Sequence, residues 1–264
     1  MSIGRVAVVG YGLIGGSIGL ALKERAPQLT VVPIDVQDSL VHAQGADLIV
    51  LAAPIAQNIS ILEQLAGAVP GSALVTDTGS TKATTVEAAA VLPARLRFIG
   101  GHPIAGAAAG GLEAARADLF DGRRWILTPT PQTRGADIES LRGLVETLGA
   151  TVHLMDAADH DRVLAYTSHL PQIAVSALMH VVGQAVGKSG LALAGAGLRD
   201  TTRLAESPAS IWNDVLLANR QNLDRALDAL IAALQDLRDR SDGHAVERVF
   251  TDAARWKQTM GEAK

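Results

Sequence analysis

The chain has 264 residues, 48% of them apolar and 19% charged, and carries a formal net charge of −4. Such a mildly acidic balance speaks against nucleic acid or an anionic membrane surface as a partner, and the absence of cysteine excludes disulfides, thiolate nucleophiles and Cys-ligated metals. The length allows one large domain or two modest ones; with no secretory signal before the first strand and no uninterrupted apolar run of bilayer length, a cytoplasmic protein free of membrane contact is expected.

In chain order, Arg5–Val9 is an apolar run ending in Gly10-Tyr11-Gly12-Leu13-Ile14-Gly15, and 13–23 reads as a helix. Further strand-like runs fall at 29–34, 48–53, 73–76, 96–99, 125–127 and 151–155, with helical segments at 58–66, 82–90 and 136–148. Alternation of this kind predicts a Rossmann-type, doubly wound α/β domain with a parallel sheet buried on both faces. Between Asp35 and the strand near Leu48 there is room for only a short helix or a turn. Beyond Met155 no strand is expected. Asp156-Ala157-Ala158-Asp159 offers helix N-cap chemistry, and 160–186, 208–240 and 245–260 read as helices. Ile211, Val215, Leu216, Leu223, Leu227, Leu230, Ile231 and Leu234 form an apolar stripe at helical spacing. The predicted division is therefore a dinucleotide-binding domain over 1–155 and an all-helical domain over 156–264. The second is thin enough that pairing with another copy is the expected way to bury its faces.

The glycine loop has the G-x-G-x-x-G spacing directly after a strand and at the start of a helix. The first glycine makes the turn, the second admits a pyrophosphate, and the third lets helix and strand pack closely. Phosphates would rest on free N–H groups of the helix N-terminus. About twenty residues on, Asp35 closes the second strand; a carboxylate there accepts ribose hydroxyls and repels a 2′-phosphate, favouring NAD over NADP. In Gly100-Gly101-His102-Pro103-Ile104-Ala105-Gly106 the glycines and proline restrict the backbone around an imidazole, the usual general base near neutral pH.

With these blocks in order, the chain resembles the prephenate/arogenate dehydrogenase family of tyrosine biosynthesis over essentially its whole length. The resemblance rests on Val6–Gly16, Asp77–Lys82, Gly100–Gly106, Leu127–Thr130, Ser168-His169-Leu170-Pro171, and Gly197–Arg203 followed by Trp212. It implies oxidative decarboxylation of a cyclohexadienol acid, prephenate or arogenate. The C4 hydride goes to the nicotinamide, the ring carboxylate leaves as CO2, and the ring becomes aromatic. His102 then matches the base and Ser80 the hydroxyl that orients it and reaches the nicotinamide, although Ser80 also suits a helix N-cap. Arg203 matches the cation that binds the ring carboxylate; alone it would read as a surface arginine paired with Glu206 or Asp200. Ser168 and His169 match the substrate-binding pair, turned toward the cleft by a kink at Pro171. Asp200 joins the carboxylate network and Trp212 walls the pocket. Leu13, Ile14, Ala53 and Pro54 complete the cofactor set with Gly10, Gly12, Gly15, Asp35 and Ser80, and no metal is expected.

Two positions depart from the pattern of prephenate-using members: Gln172 stands where a second histidine is common, and Ala108 where a glutamate is. Both lie toward the substrate's side-chain end, and Ala107-Ala108-Ala109 looks closer to arogenate-using relatives. An imine or β-hydroxyacid reductase of the same two-domain plan is the alternative enzyme; it would place a lysine or aspartate at the hydride site. A nucleotide-sensing module without turnover is the non-enzymatic one.

Overall fold

A computed structural model describes residues 3–106, 110–239 and 243–262, the side chains of residues 210, 261 and 262 excepted. The chain divides into two compact units, residues 1–220 and 221–264. The first unit holds a seven-stranded sheet in the order β2-β1-β3-β4-β5-β6-β7: β1 Arg5–Val9, β2 Thr30–Ile34, β3 Leu48–Leu51, β4 Ala73–Asp77, β5 Leu96–Pro103, β6 Arg124–Thr128 and β7 Thr151–Leu154. Its helices are α1 Leu13–Arg25, α2 Ile55–Ala68, α3 Ala83–Ala88, α4 Gly135–Thr147, α5 Ala157–Leu164, α6 Leu170–Leu191, α7 Ala196–Thr201 and α8 Ala209–Ala218.

Strand alternation builds the core. Val6 and Val8 of β1 join Ile18, Leu22, Leu127 and Leu144 in one buried cluster, while Ala7 and Val9 join Ile49, Leu51, Leu62 and Val75 in another. Successive side chains of a strand point to opposite faces, so both faces of the sheet are covered, as the near-continuous apolar strands predict. Pro33 is tolerated because β2 is an edge strand. The short span before β3 holds only a 3-10 turn, Leu40–Ala43, capped by the Ser39 hydroxyl.

The sheet is not wholly parallel. β6 runs antiparallel to β5, with Gly100 opposite Thr128 and His102 opposite Ile126. The span between β5 and β6 contains only a 3-10 turn, Leu112–Ala114, among the described residues, rather than the helix a parallel crossover requires. β5 also runs four residues further than expected, so Gly100–Pro103 is strand rather than loop. A Cβ on Gly100 would lie 2.4 Å from Thr128 Oγ1, and one on Gly101 2.6 Å from the Asp77 carbonyl oxygen. The paired glycines are what lets this strand end lie so close to its neighbours.

The expected long helix over 160–186 is interrupted. Residues Ala165–His169 form a π-helical turn in which Leu170 N–H reaches back to the Ala165 carbonyl. Pro171 has no N–H for the carbonyl of Thr167, and its ring crowds that carbonyl, so the ladder widens just before it. The helical run Ala157–Leu191 is long and apolar enough by length and mean hydropathy to cross a membrane, although polar residues such as His169, Gln172, His180 and Gln184 interrupt it. Leu178, Val181, Val186 and Leu193 of this region are exposed.

The helix expected over 208–240 is also broken. α8 ends at Asn219, where φ −114° and ψ 26° depart from helix, and α9 Arg220–Asp239 begins anew. In the second unit α9 is followed by α10 His244–Glu262, and an Arg248–Asp236 ion pair joins them. Ile231 and Leu234 of α9 and Phe250, Trp256 and Met260 of α10 are exposed.

Candidate active site

β1 and β3 are neighbours whose connections leave in opposite directions, β2 lying beyond β1 and β4 beyond β3. Ligands of open α/β sheets bind at the carboxyl ends of strands at such a reversal. The glycine loop sits there and fits a dinucleotide. Gly10 has φ 91°, and a Cβ on it would lie 2.6 Å from Ala53 N. Gly15 packs so tightly that a Cβ would lie 2.1 Å from the Gly10 carbonyl oxygen. Gly12, by contrast, has nothing within 4 Å of its would-be Cβ, leaving open space for a phosphate over the backbone. The first turn of α1 has neither a side-chain cap nor an acidic residue to compete for its N–H groups. Asp35, just past β2, is exposed, accepts an N–H from Gln37 at 3.4 Å, and has the acid Asp38 beside it rather than a base.

A cleft of about 590 Å³ opens beside this loop. Leu13, Ile14, Ala53, Pro54 and Ser80 from the expected cofactor set line it together with His102, and α8 contributes Ile211, Asp214 and Val215. The loop after β4 is held by Asp77, whose carboxylate accepts N–H from Gly79 at 2.9 Å and from Gly101 at 3.0 Å. Lys82 pairs with the same carboxylate and donates to the Gly101 carbonyl at 2.8 Å; both charged groups are fully buried. This knot fixes the ends of β4 and β5 against each other and so fixes where Ser80 and His102 emerge.

Ser80 shares the cleft with His102, but no hydrogen bond joins the two among the described residues; the imidazole is met instead by His160. His102 Nδ1 lies 2.9 Å from His160 Nε2, and His160 Nδ1 lies 2.8 Å from Asp161 Oδ1. Nor is Ser80 a helix cap: α3 starts at Ala83, and the backbone N–H groups of Lys82 and Ala83 are taken by the Asp161 carboxylate at 2.7 and 2.8 Å. Burial first, then the facing His160, Lys82 and His169, hold His102 well below the ordinary imidazole range, so it stays neutral and ready to accept a proton.

The helical candidates are not among the residues that line this cleft, although His169 lies near enough to act on the charge of His102. His169 is buried; its Nδ1 is 3.1 Å from Asn219 Nδ2, its ring meets Trp212 edge to face, and its Nε2 has no partner among the described residues. Burial pulls its pKa down to about 4. Trp212 lines a separate cavity of about 320 Å³ with Gln172, Ser176 and Leu216, rather than walling the His102 cleft. Gln172 Nε2 donates to Ser176 Oγ and to the Leu204 carbonyl, and Oε1 has no partner among the described residues. Ser168 is half-buried on the π turn, and Asp200 on α7 is exposed. Arg203 is exposed on a 3-10 turn and pairs with neither Glu206 nor Asp200; its guanidinium has no partner among the described residues. Ala107, Ala108 and Ala109, which bear on substrate preference, lie outside the described residues.

Two family models match the chain, "Prephenate dehydrogenase, nucleotide-binding domain" over residues 12–154 and "Prephenate dehydrogenase, dimerization domain" over residues 156–251. The chain belongs to the prephenate dehydrogenase family. It is 33% identical to the prephenate dehydrogenase of Bacillus subtilis, over 93% of this chain and 72% of that one. Among solved structures, prephenate dehydrogenase from Aquifex aeolicus, in complex with hydroxyphenyl propionate and NAD+, superposes with a TM-score of 0.87 at 26% identity, covering 100% of this chain and 99% of that one. Arogenate dehydrogenase from Synechocystis gives 0.80 at 28% identity, covering 97% and 99%. The family expected from the sequence blocks is thus the family found, and NAD-dependent oxidative decarboxylation takes precedence over the reductase and sensor alternatives.

Sequence reasoning missed Asp77, Lys82, His160, Asp161 and Asn219 as parts of the site. Asp77 and Lys82 lie inside a block that carries the resemblance, without a role read for either, and the His-Asp pair just after the Asp156 cap gives a local signal that does not say where the pair points.

Proposed function

We propose that this chain catalyses the NAD-dependent oxidative decarboxylation of prephenate, arogenate or both, in tyrosine biosynthesis. The observation that carries the reading is that His102 and the residues flanking the glycine loop line one cleft. The Gly10–Gly15 loop and Asp35 would hold the dinucleotide, which supplies a hydride acceptor. His102 takes the proton of the substrate hydroxyl as the C4 hydride leaves. The electron pair of the breaking C–CO2 bond then moves through the ring to the C4 oxygen, which regains the proton as the ring becomes aromatic. Ser80, which lines the same cleft, is proposed to contact the substrate hydroxyl or the nicotinamide. Arg203, whose guanidinium has no partner among the described residues, is proposed for the ring carboxylate; Asp200, Ser168, His169 and Trp212 are proposed to complete the substrate side.

We further propose the division 1–155 and 156–264, with the helical part forming a homodimer. The family model for this region describes a dimerization domain. The exposed apolar faces of α6, α9 and α10 suit a second copy better than lipid, because His180 and Gln184 interrupt α6 and Gly187, at φ 58°, breaks it. A cytoplasmic location without nucleic acid or membrane partners accords with this.

Purified protein assayed with each acid, crossed with NAD and NADP, and followed by reduced nicotinamide and CO2 release tests the function. Turnover without CO2, or none with either acid, overturns it. Arg203→Ala should raise KM for the acid roughly ten- to hundredfold, the worth of hydrogen bonds to a charged group, with cofactor Kd unchanged. Asp35→Ser should narrow the NAD over NADP preference by roughly tenfold, about the worth of one charge-assisted hydrogen bond; a wild-type preference for NADP removes Asp35 from the ribose site. Because His102 is held well below 6.5, the acid limb of kcat/KM should fall well below pH 6.5, with activity lost only as His102 becomes charged.

A further inference from the structure

We propose that His160 and Asp161 are positioning residues that fix the tautomer of His102, so that its Nε2 meets the cleft as a free lone pair. The proposal rests on the reading of His102 as the base and adds what makes it one. Asp161 is buried at 2% exposure. Its two oxygens accept the backbone N–H groups of Lys82 and Ala83 at 2.7 and 2.8 Å, so the carboxylate is anchored and acts only as acceptor. His160, itself fully buried, places Nδ1 2.8 Å from the same Oδ1, and that nitrogen must carry the hydrogen. In a neutral ring Nε2 is then a lone pair. It lies 2.9 Å from His102 Nδ1, which must donate. The second nitrogen of His102, Nε2, is left unprotonated, and His102 lines the cleft.

Each step follows from the one before, and the order starts from a carboxylate that cannot donate. Without it, His102 could settle as the other tautomer and present an N–H to the substrate hydroxyl, which cannot accept that hydroxyl's proton. When Nε2 takes the substrate proton, the Nδ1–H already points at His160, and the new positive charge is shared toward a ring whose far nitrogen faces Asp161. Asn219 steadies the arrangement from the end of α8 by donating to the Asp161 carbonyl at 2.7 Å. The groups whose charge acts on His102 are His160 from α5, Lys82 ahead of α3 and His169 from the π turn, and Asp214 of α8 lines the same cleft. Neither Lys82 nor His169 offers the acceptor that Nδ1 has in His160.

Nitrogen-15 NMR of the full chain with labelled histidine, at neutral pH, reads the tautomer directly, with His102→Asn assigning the signal. A protonated Nδ1 and bare Nε2 on His102 are expected; a protonated Nε2 overturns the proposal, and this needs no variant at position 160 to fold. In kinetics, His160→Phe should lower kcat on the order of 10²-fold, short of the roughly 10⁴-fold loss from an inverted tautomer in a serine protease triad. KM for the acid and the NAD Kd should stay within about twofold of wild type, a small change beside a catalytic base's ~10²-fold contribution. His160→Gln, whose Oε1 can accept the Nδ1–H, should recover about tenfold of the loss, as one hydrogen bond is worth about that. A His160→Phe enzyme with wild-type kcat, or a glutamine variant no better than phenylalanine, also overturns it. If His102→Ala is inactive while His160→Phe is not, the relay falls and the base stands; if wild type oxidises neither acid, the proposed function itself falls.

Discussion

His102→Ala should abolish most turnover while leaving the protein folded and able to bind NAD. A positioned general base contributes about 10²–10⁴-fold, and the loss should appear in kcat rather than in KM. The cofactor-binding parts are independent of the imidazole. Gly10 and Gly15 are set by contacts with Ala53 and with each other, and Gly12 faces open space. The histidine is half-buried at the end of β5, where its backbone is paired with Ile126 across the antiparallel ladder. Truncation removes a side chain from the cleft without unpairing the strand. The expected result is a kcat down by about three orders of magnitude, with NAD Kd by fluorescence titration unchanged. A variant that binds NAD and turns over at the wild-type rate would remove His102 from the chemistry. A variant that loses both would point to damage at the Gly100-Gly101 packing instead, and a melting curve separates the two.

The parts of this site that were legible in the sequence are those carried by contiguous residues. The glycine loop announces itself because strand, turn and helix N-terminus are neighbours in the chain, and the Asp156 cap is found for the same reason; its carboxylate accepts the Ala158 N–H at 2.8 Å. Apolar strands show that they are buried on both faces but not which way they run, so the sequence does not reveal the reversal of β6, whose twenty-residue connection from β5 holds no crossover helix among the described residues. The stripe from Ile211 to Leu234 reads straight through Asn219, since a single polar residue hardly disturbs the period. What breaks the helix is tertiary: Asn219 is buried and its amide serves the Asp161 carbonyl and His169. The His102–His160 contact spans 58 residues and the Asp161–Lys82 contact 79, and no local pattern encodes either. Ser80 illustrates the opposite error. Its neighbourhood looks like a helix start, but the helix begins three residues later and is capped from α5.

Lys82→Met should strongly destabilise the fold. Lys82 and Asp77 are both fully buried. Burial pulls the ammonium below its ordinary range, and Asp77 counters that pull. Removing one partner of a buried pair leaves the other charge uncompensated, at about 3–5 kcal/mol. Here the orphan is the Asp77 carboxylate. It keeps two backbone donors, Gly79 and Gly101, but the Gly101 carbonyl loses its own donor as well. For a unit of this size each kcal/mol moves Tm by about 2–4 °C, so a drop on the order of 10 °C is expected by circular dichroism. Asp77→Leu should be worse, since it strips acceptors from three donors at once. The two halves of the site make the loss functional too. The loop carrying Ser80 and the strand carrying His102 are tied through this carboxylate, so any Lys82→Met protein that folds should show lower kcat. Because Lys82 is one of the charges holding His102 down, the acid limb of its kcat/KM profile should move to higher pH. A Tm within a degree or two of wild type, below the ~2–4 °C expected per kcal/mol, together with an unmoved acid limb, would show that the buried pair neither supports the fold nor sets the field at the imidazole.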